Sequence, residues 1–290
     1  MPEPPAAGAI LVDKPAGVSS FGAIARLRRV YGRRLGHTGT LDPFATGLLV
    51  VLHGRATRLA PLVGGGAKRY RATVRFGATS TTDDPEGEIA PTGATTDRAR
   101  LIAALPSQIG DIEQVPPAAS AVHVDGERAY RRFRRGEDVT VPPRRVSVHG
   151  IDLMRFDADR QTAELDIRCG SGTYVRSIAR DLGATLGCGA HLAALRRTEV
   201  GPFAVADAAA PDAIAAAPAG AVGWLPPLAL VDGLPRLALA DDEARDVRHG
   251  RAIPDHGLAG AVALVADDAL VAVGDAGDGR IAPRIVLEPA

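Results

Sequence analysis

The chain has 290 residues, 46% apolar and 23% charged, with 34 basic side chains against 34 acidic ones. That is a globular composition, long enough for one large domain or a large and a small one. No apolar run reaches membrane-spanning length. The start, "MPEPPAAGAILVDKP", has an acid and prolines where a signal peptide needs basic and then apolar residues, and Cys169 and Cys188 form no CxxC or disulfide framework, so a cytoplasmic protein with reduced thiols is expected.

In chain order, "AILVD" (residues 9–13) reads as a buried strand. "SSFGAIARLRRVYG" (19–32) reads as a helix: Ser19 or Ser20 caps it, Phe21, Ile24, Leu27 and Val30 form the apolar stripe, and Gly32 ends it. "GLLVVLHG" (47–54) is a second buried strand. "RYRATVRFG" (69–77) alternates, with Tyr70, Ala72, Val74 and Phe76 on one face and Arg69, Arg71, Thr73 and Arg75 on the other. "DRARLIAAL" (97–105) has a helical period, and "RRVSVHGIDLMRF" (144–156) and "TAELDIRCG" (162–170) look like strands. "TYVRSIARDLGATLG" (173–187) is helical, with Arg176 off the stripe of Val175, Ile178, Ala179, Leu182 and Leu186. Residues 204–227 are Ala/Pro-rich and read as a linker or a loosely packed segment. From about Val231, short strands such as "AVALV" and "LVAVG" surround one helical piece, "DDEARDVRHG". Strands and helices mix without a βαβ rhythm. The class expected is α+β, with a mixed, largely antiparallel sheet flanked by helices over residues 1–230 and a small β-rich domain over 231–290.

Charge is unevenly spread: residues 1–200 carry 28 Lys+Arg against 21 Asp+Glu, and residues 201–290 carry 6 against 13. The basic part clusters in "RLRRVYGRR" (26–34) and "ERAYRRFRRG" (127–136), which fits either a polyanion such as nucleic acid or a solvated helix face. "GGGAKR" (64–69) lacks the Gly-Lys-Ser/Thr ending of a phosphate loop. The seven histidines show no metal-ligand spacing. Chemistry must therefore run on side chains, and one carboxylate stands out. Asp42, followed by Pro43, fits the N-cap of a helix with Pro at its first position, or a turn that aims the carboxylate at a substrate.

The stretch "GHTGTLDPFATGLL" (36–49) resembles the catalytic motif of the TruB family of tRNA pseudouridine synthases, meeting G-H-x-G-x-L-D-P-x-A-x-G-x-L at every fixed position. Segments similar to the family's follow in order: "LVDKPAGVSS", "AKRYRATVRFG", "PPAASAVHVDGERAY", "GSGTYVRSIARDLG" and "LGCGAHLAALRR", so the resemblance covers roughly residues 8–200. Two positions depart from it. Thr81 in "STTDDPEG" stands where the family often has Asp, and His123 where it often has Lys. The ending "RIAPRIVLEP" is weakly similar to a small RNA-binding β-barrel of the PUA type.

The resemblance implies isomerisation of uridine 55 in the T-arm loop of tRNA: N1–C1′ breaks, the base turns, and C5 joins C1′. Substrate and product are isomers, so no metal, redox cofactor or nucleotide is expected. It implies Asp42 as nucleophile or proton acceptor, Arg176 as its partner, lowering its pKa by roughly 1–3, and Tyr70 as a ring packed on the flipped base that assists proton transfer. By the same resemblance His37 props the gap left by the flipped nucleotide, and Tyr174 and Leu195 line the pocket. Lys14 supports the loop or an RNA phosphate, and Lys68, beside Tyr70, is a further substrate-side residue. The T-arm stem-loop is the partner expected, held through its backbone by the two basic clusters of a monomer with no membrane attachment. An N-glycosylase and a catalytically silent RNA binder are the alternatives. The first usually needs a second carboxylate, and the motif offers none beside Asp42.

Overall fold

The computed structural model describes residues 5–124 and 126–288. Residues 1–4, part of the stretch read as unlike a signal peptide, Asp125 within the segment 116–130, and residues 289–290 lie outside it. The elements begin with β1 (Ala7–Lys14), α1 (Ser20–Tyr31), β2 (Leu35–His37), β3 (Thr46–Gly54), α2 (Ala60–Gly64), β4 (Lys68–Phe76), β5 (Ala78–Ser80) and β6 (Ile89–Pro91). There follow α3 (Arg98–Ala104), β7 (Gly110–Gln114), β8 (His123–Val124), β9 (Glu127–Arg128), α4 (Ala129–Arg134), β10 (Arg144–Asp157), β11 (Thr162–Cys169), α5 (Val175–Leu186) and β12 (Ala190–Val200). The last are β13 (Phe203–Ala204), α6 (Pro211–Ala216), β14 (Trp224–Leu225), β15 (Arg236–Ala238), α7 (Asp241–Arg248), β16 (Ile253–Pro254), β17 (Gly260–Ala266), β18 (Ala269–Gly277) and β19 (Arg280–Val286).

The large sheet runs β14-β1-β3-β12-β4-β11-β10-β7, with β2 beside β3 and β13 beside β12. Among its described strands only β3 and β12 pair in parallel, through Arg196↔Thr46 and Arg197↔Gly47. This is the mixed, largely antiparallel α+β sheet expected, and a second sheet, β15-β17-β18-β19-β16, supplies the β-rich C-terminal part.

Alternation along β1 and β3 explains how two layers are filled. Ala9, Leu11, Leu48, Val50 and Leu52 share a buried cluster with Ala263, Leu270 and Val273 of the second sheet, while Ile10, Val12, Leu49 and Val51 meet Ile24, Leu27 and Tyr31 of α1. β4 buries every second residue from Lys68 to Phe76, placing Tyr70 in the cluster under α5.

Four expectations need correction. The buried face of α1 is Ser20, Ala23, Ile24, Leu27 and Tyr31. Phe21 is 62% exposed, with the Arg28 guanidinium 4.5 Å from its ring centre, so the true stripe is rotated from the one read. Residues 204–227 are no linker: α6 buries Ile214, Asp212 pairs with Arg26 of α1 at 2.8 Å, and β14 extends the sheet beyond β1. β12, central in the sheet, carries no strand signal in the sequence, because bulges at Leu192/Ala194 and Arg197/Glu199 break its alternation. Finally, no helix follows Pro43, so Asp42 caps nothing. It closes only a turn, in which the Ala45 N–H donates to the Asp42 carbonyl at 3.1 Å.

Candidate active site

The turn carrying Asp42 is tied down on both sides. Before it, the buried Ser20 hydroxyl donates to the Leu41 carbonyl (3.0 Å) and accepts the Leu41 N–H (2.9 Å). After it, the Pro43 carbonyl accepts from Lys14 Nζ (3.1 Å) and from the Gly17 N–H (2.8 Å). Lys14 is fully buried and also donates to the carbonyls of Pro15 and Val18, at 2.8 and 2.6 Å. Its three hydrogens are all given to backbone, which is the geometry of loop support and leaves none for a phosphate. Burial pushes its pKa down to about 8, against the pull of the Asp42 charge.

Arg176, on the first turn of α5, is buried and holds two carboxylates. Its Nη2 donates to Asp42 Oδ1 (3.1 Å) and the Ala119 carbonyl (3.0 Å). Its Nη1 donates to Asp84 Oδ2 and the Thr82 carbonyl, both at 3.0 Å. Nε lies 3.0 Å from Asp42 Oδ2, though it is not aligned for a hydrogen bond. Asp84 is itself locked, accepting from the Thr82 hydroxyl (2.6 Å) and the Glu86 N–H (3.0 Å).

Asp42 keeps 31% of its side chain exposed, toward the cleft. Packing on its other sides raises the carboxyl above its ordinary pKa; Arg176 and Lys14 pull it down and Asp84 pushes it up. Loss of water thus outweighs the guanidinium, the reverse of the direction expected from the ion pair alone. The motif offers no second carboxylate, but the fold brings Asp84 to the far side of Arg176. Locked as it is, Asp84 shapes the charge of Asp42 and is not free to activate water.

Tyr70, Lys68, Tyr174, Leu195, Arg144 and Arg197 line the same cleft as Asp42 and Arg176. Burial raises the Tyr70 pKa, with Arg197 opposing, so it stands as a neutral phenol. Lys68 Nζ donates to the carbonyls of Gly64 (2.9 Å) and Gly66 (3.1 Å), and burial lowers its pKa. Tyr174 is held by backbone: its N–H donates to Gln114 Oε1 (2.8 Å), and Gln114 Nε2 donates to its carbonyl (3.1 Å). The Arg144 guanidinium sits 4.6 Å from the Tyr174 ring centre. His37 does not line this cleft. It ends β2, one residue before Thr38, which does, and burial and Arg197 lower its pKa.

Arg197, 1% exposed, closes the floor by donating to the carbonyls of Leu48 (2.7 Å) and Gly39 (3.0 Å). Gly47 is required beside it: φ is +103°, and a Cβ would lie 2.2 Å from the Arg197 carbonyl oxygen. Sequence reasoning missed Ser20, Asp84, Gln114, Arg144 and Arg197. Only Ser20 had a local signal, the second serine of a capping pair. Among the described residues no cluster of three or more His, Cys, Asp and Glu could hold a metal ion, and no helix is long and apolar enough to cross a membrane.

Comparison with known proteins matches the chain to pseudouridylate synthases. The TruB family pseudouridylate synthase N-terminal domain matches residues 28–175, and the tRNA pseudouridylate synthase B C-terminal domain matches residues 176–219. The chain is 45% identical to tRNA pseudouridine synthase B of Thermobifida fusca, covering 97% of this chain and 98% of that protein. It is 43% identical to the protein of the same name from Parasynechococcus marenigrum, covering 97% of each. Two solved structures share the fold across 97% of this chain and 85% of theirs. They are a Cbf5-Nop10-Gar1 complex (TM-score 0.71, 25% identity) and an H/ACA RNP bound to a substrate RNA containing 2′-deoxyuridine (TM-score 0.75, 22% identity).

Proposed function

Because the chain belongs to the TruB family of pseudouridylate synthases, isomerases of uridine in tRNA, we propose that it acts at uridine 55 of the T-arm loop with Asp42 as the reacting carboxylate. The observation that carries this reading is one carboxylate at a cleft, backbone-anchored on both sides and paired with a buried guanidinium. The uridine leaves its stack and enters the cleft, where Tyr70 packs against the base and Leu195 and Tyr174 wall it from water. Asp42 acts at C1′ or the base while the N1–C1′ bond breaks. After the base turns, C5 bonds to C1′ and the C5 proton ends on N1, so atoms balance within the nucleotide. Raised basicity serves either role of the carboxylate. Tyr70, a neutral phenol, can donate or relay a proton but is a poor base. The same reading assigns residues 1–230 to catalysis and 231–290 to a small β-rich domain packed against them.

The test separates chemistry from binding. Asp42→Asn keeps the size of the side chain and removes the nucleophile. Turnover of an unmodified T-arm stem-loop is expected to fall by at least roughly a thousandfold, with affinity kept or slightly improved. Product is read as pseudouridine in a nuclease digest at unchanged RNA mass. Near-parental turnover by Asp42→Asn would remove Asp42 from the chemistry, and loss of base mass would point to a glycosylase.

A further inference from the structure

Away from the cleft, many guanidinium groups among the described residues are paired with carboxylates. In the sequence cluster at 127–136 two of the arginines are neutralised locally: Arg135 takes Glu127 and Glu137 at 2.7 Å, and Arg132 takes Glu137 at 2.8 Å. Arg69 and Arg71 share Asp166, Arg168 takes Asp152, and Arg196 takes Asp13. One surface carries no such pair. Arg29, Arg33, Arg34 and Arg55 are exposed, and no carboxylate among the described residues pairs with them.

Two of these, Arg34 and Arg55, line one groove with Gly54, Thr57 and Arg58, and no acid or aromatic residue enters it. The groove has a fixed frame. The Gly54 N–H donates to the Arg34 carbonyl (3.0 Å), Leu35 pairs with His53, and the Thr57 hydroxyl donates to the Gly54 carbonyl (2.8 Å). Arg58 donates to the Val286 carbonyl of β19 at 3.1 Å, fastening the second sheet to the groove wall. A helix C-terminus attracts cations, which accounts for Arg29 in the last turn of α1. It does not account for Arg33, Arg34 and Arg55, which lie beyond the helix. The groove sits at the end of β3 opposite the Asp42 turn. Nine residues of strand separate them by about 26 Å at ~3.3 Å per residue.

We propose that this arginine groove grips the phosphate backbone of the RNA duplex beyond the loop that presents the target uridine. The inference rests on the tRNA reading above. Three unpaired, exposed guanidinium groups with no stacking ring suit phosphates and not bases. Their distance from Asp42 means that an RNA must be long enough to reach from one end of β3 to the other.

The test is Arg33→Gln, Arg34→Gln and Arg55→Gln together in the full chain. Arg58 is left in place because it holds the second sheet. Binding of a full-length tRNA transcript and of a T-arm hairpin cut to three base pairs is measured across a salt series. On the transcript, affinity is expected to fall roughly tenfold or more and the log–log salt slope to lose about 2–3, while the hairpin changes by less than about twofold. Equal losses on both RNAs, or no loss on either, would overturn the groove. Binding is read apart from turnover. A parent protein that binds both RNAs and makes no pseudouridine would overturn the isomerase reading, while the groove would still be judged on affinity.

Discussion

Asp42 carries its charge where water is scarce, and in the role proposed for it its titration would shape the pH profile. Burial sets its pKa above that of a free aspartate, so a reaction needing the ionised form fades at a correspondingly higher pH as the solution is acidified. On the alkaline side Lys14, pushed down to about 8, loses its proton, and a neutral amine offers two N–H groups to three carbonyls. kcat/KM on the stem-loop is therefore expected to be bell-shaped, with its alkaline limb near pH 8. A flat rate between about pH 7 and 10 would mean that the loop does not need the Lys14 charge. Stability carries the opposite sign at Asp42. A raised pKa in the fold favours the protonated form, so the ionised carboxylate costs stability, a cost absent in acid and complete once the pH passes the raised value. Asp42→Asn should accordingly melt no lower than the parent at neutral pH. Arg176→Lys should lose on both counts. One ammonium cannot span Asp42, Asp84 and the carbonyls of Thr82 and Ala119, so turnover should fall at least roughly a hundredfold. Denaturant unfolding should show a loss of up to about 3–5 kcal/mol, the range for breaking a buried pair. A Lys variant equal to the parent in both would place the guanidinium outside the machinery.

At the scale of elements, α1 reaches the Asp42 turn through the Ser20 hydroxyl. Ser20→Ala strands the N–H and carbonyl of Leu41 inside the protein, a cost of about 1–3 kcal/mol for an unsatisfied buried group. It also frees one side of the Asp42 turn. Turnover should fall while stem-loop affinity holds, measured by single-turnover kinetics and filter binding; an unchanged rate would make the Ser20 bonds structural only. The same pair of serines shows what a sequence can and cannot reveal. Ser19 as a cap and Gly32 as a stop are local signals, and the structure has both. So are the alternation of β4 and the period of α5. Ser20 meets Leu41 21 positions away, Gln114 meets Tyr174 60 away, and Arg197 meets Leu48 149 away. No periodicity encodes those distances. The Asp42, Tyr70 and Arg176 grouping came from likeness to a family, while Asp84, equally part of the charge balance, sat in a loop with no pattern to announce it.

For the whole molecule, the two sheets share one apolar cluster, in which Ala263, Leu270, Val273 and Leu287 lie against Leu48, Val50 and Leu52. Ending the chain after residue 230 would bare the outer face of β3, the strand that follows the Asp42 turn. The shortened protein should melt well below the full chain or aggregate, and the full chain should unfold in a single calorimetric transition. Two separate transitions, with the first 230 residues as stable alone as in the whole, would show that the cluster does not couple them. The commitments of Arg176 bear on motion as well. Every terminal N–H of that side chain is engaged, and backbone anchors hold Asp42 fore and aft. A carboxylate so held has no slack with which to follow a substrate through its rearrangement. On the proposed reaction, the enzyme is the stationary body while the base turns: the nucleotide makes the journey, and the reacting atom must be delivered to a carboxylate that waits in one place.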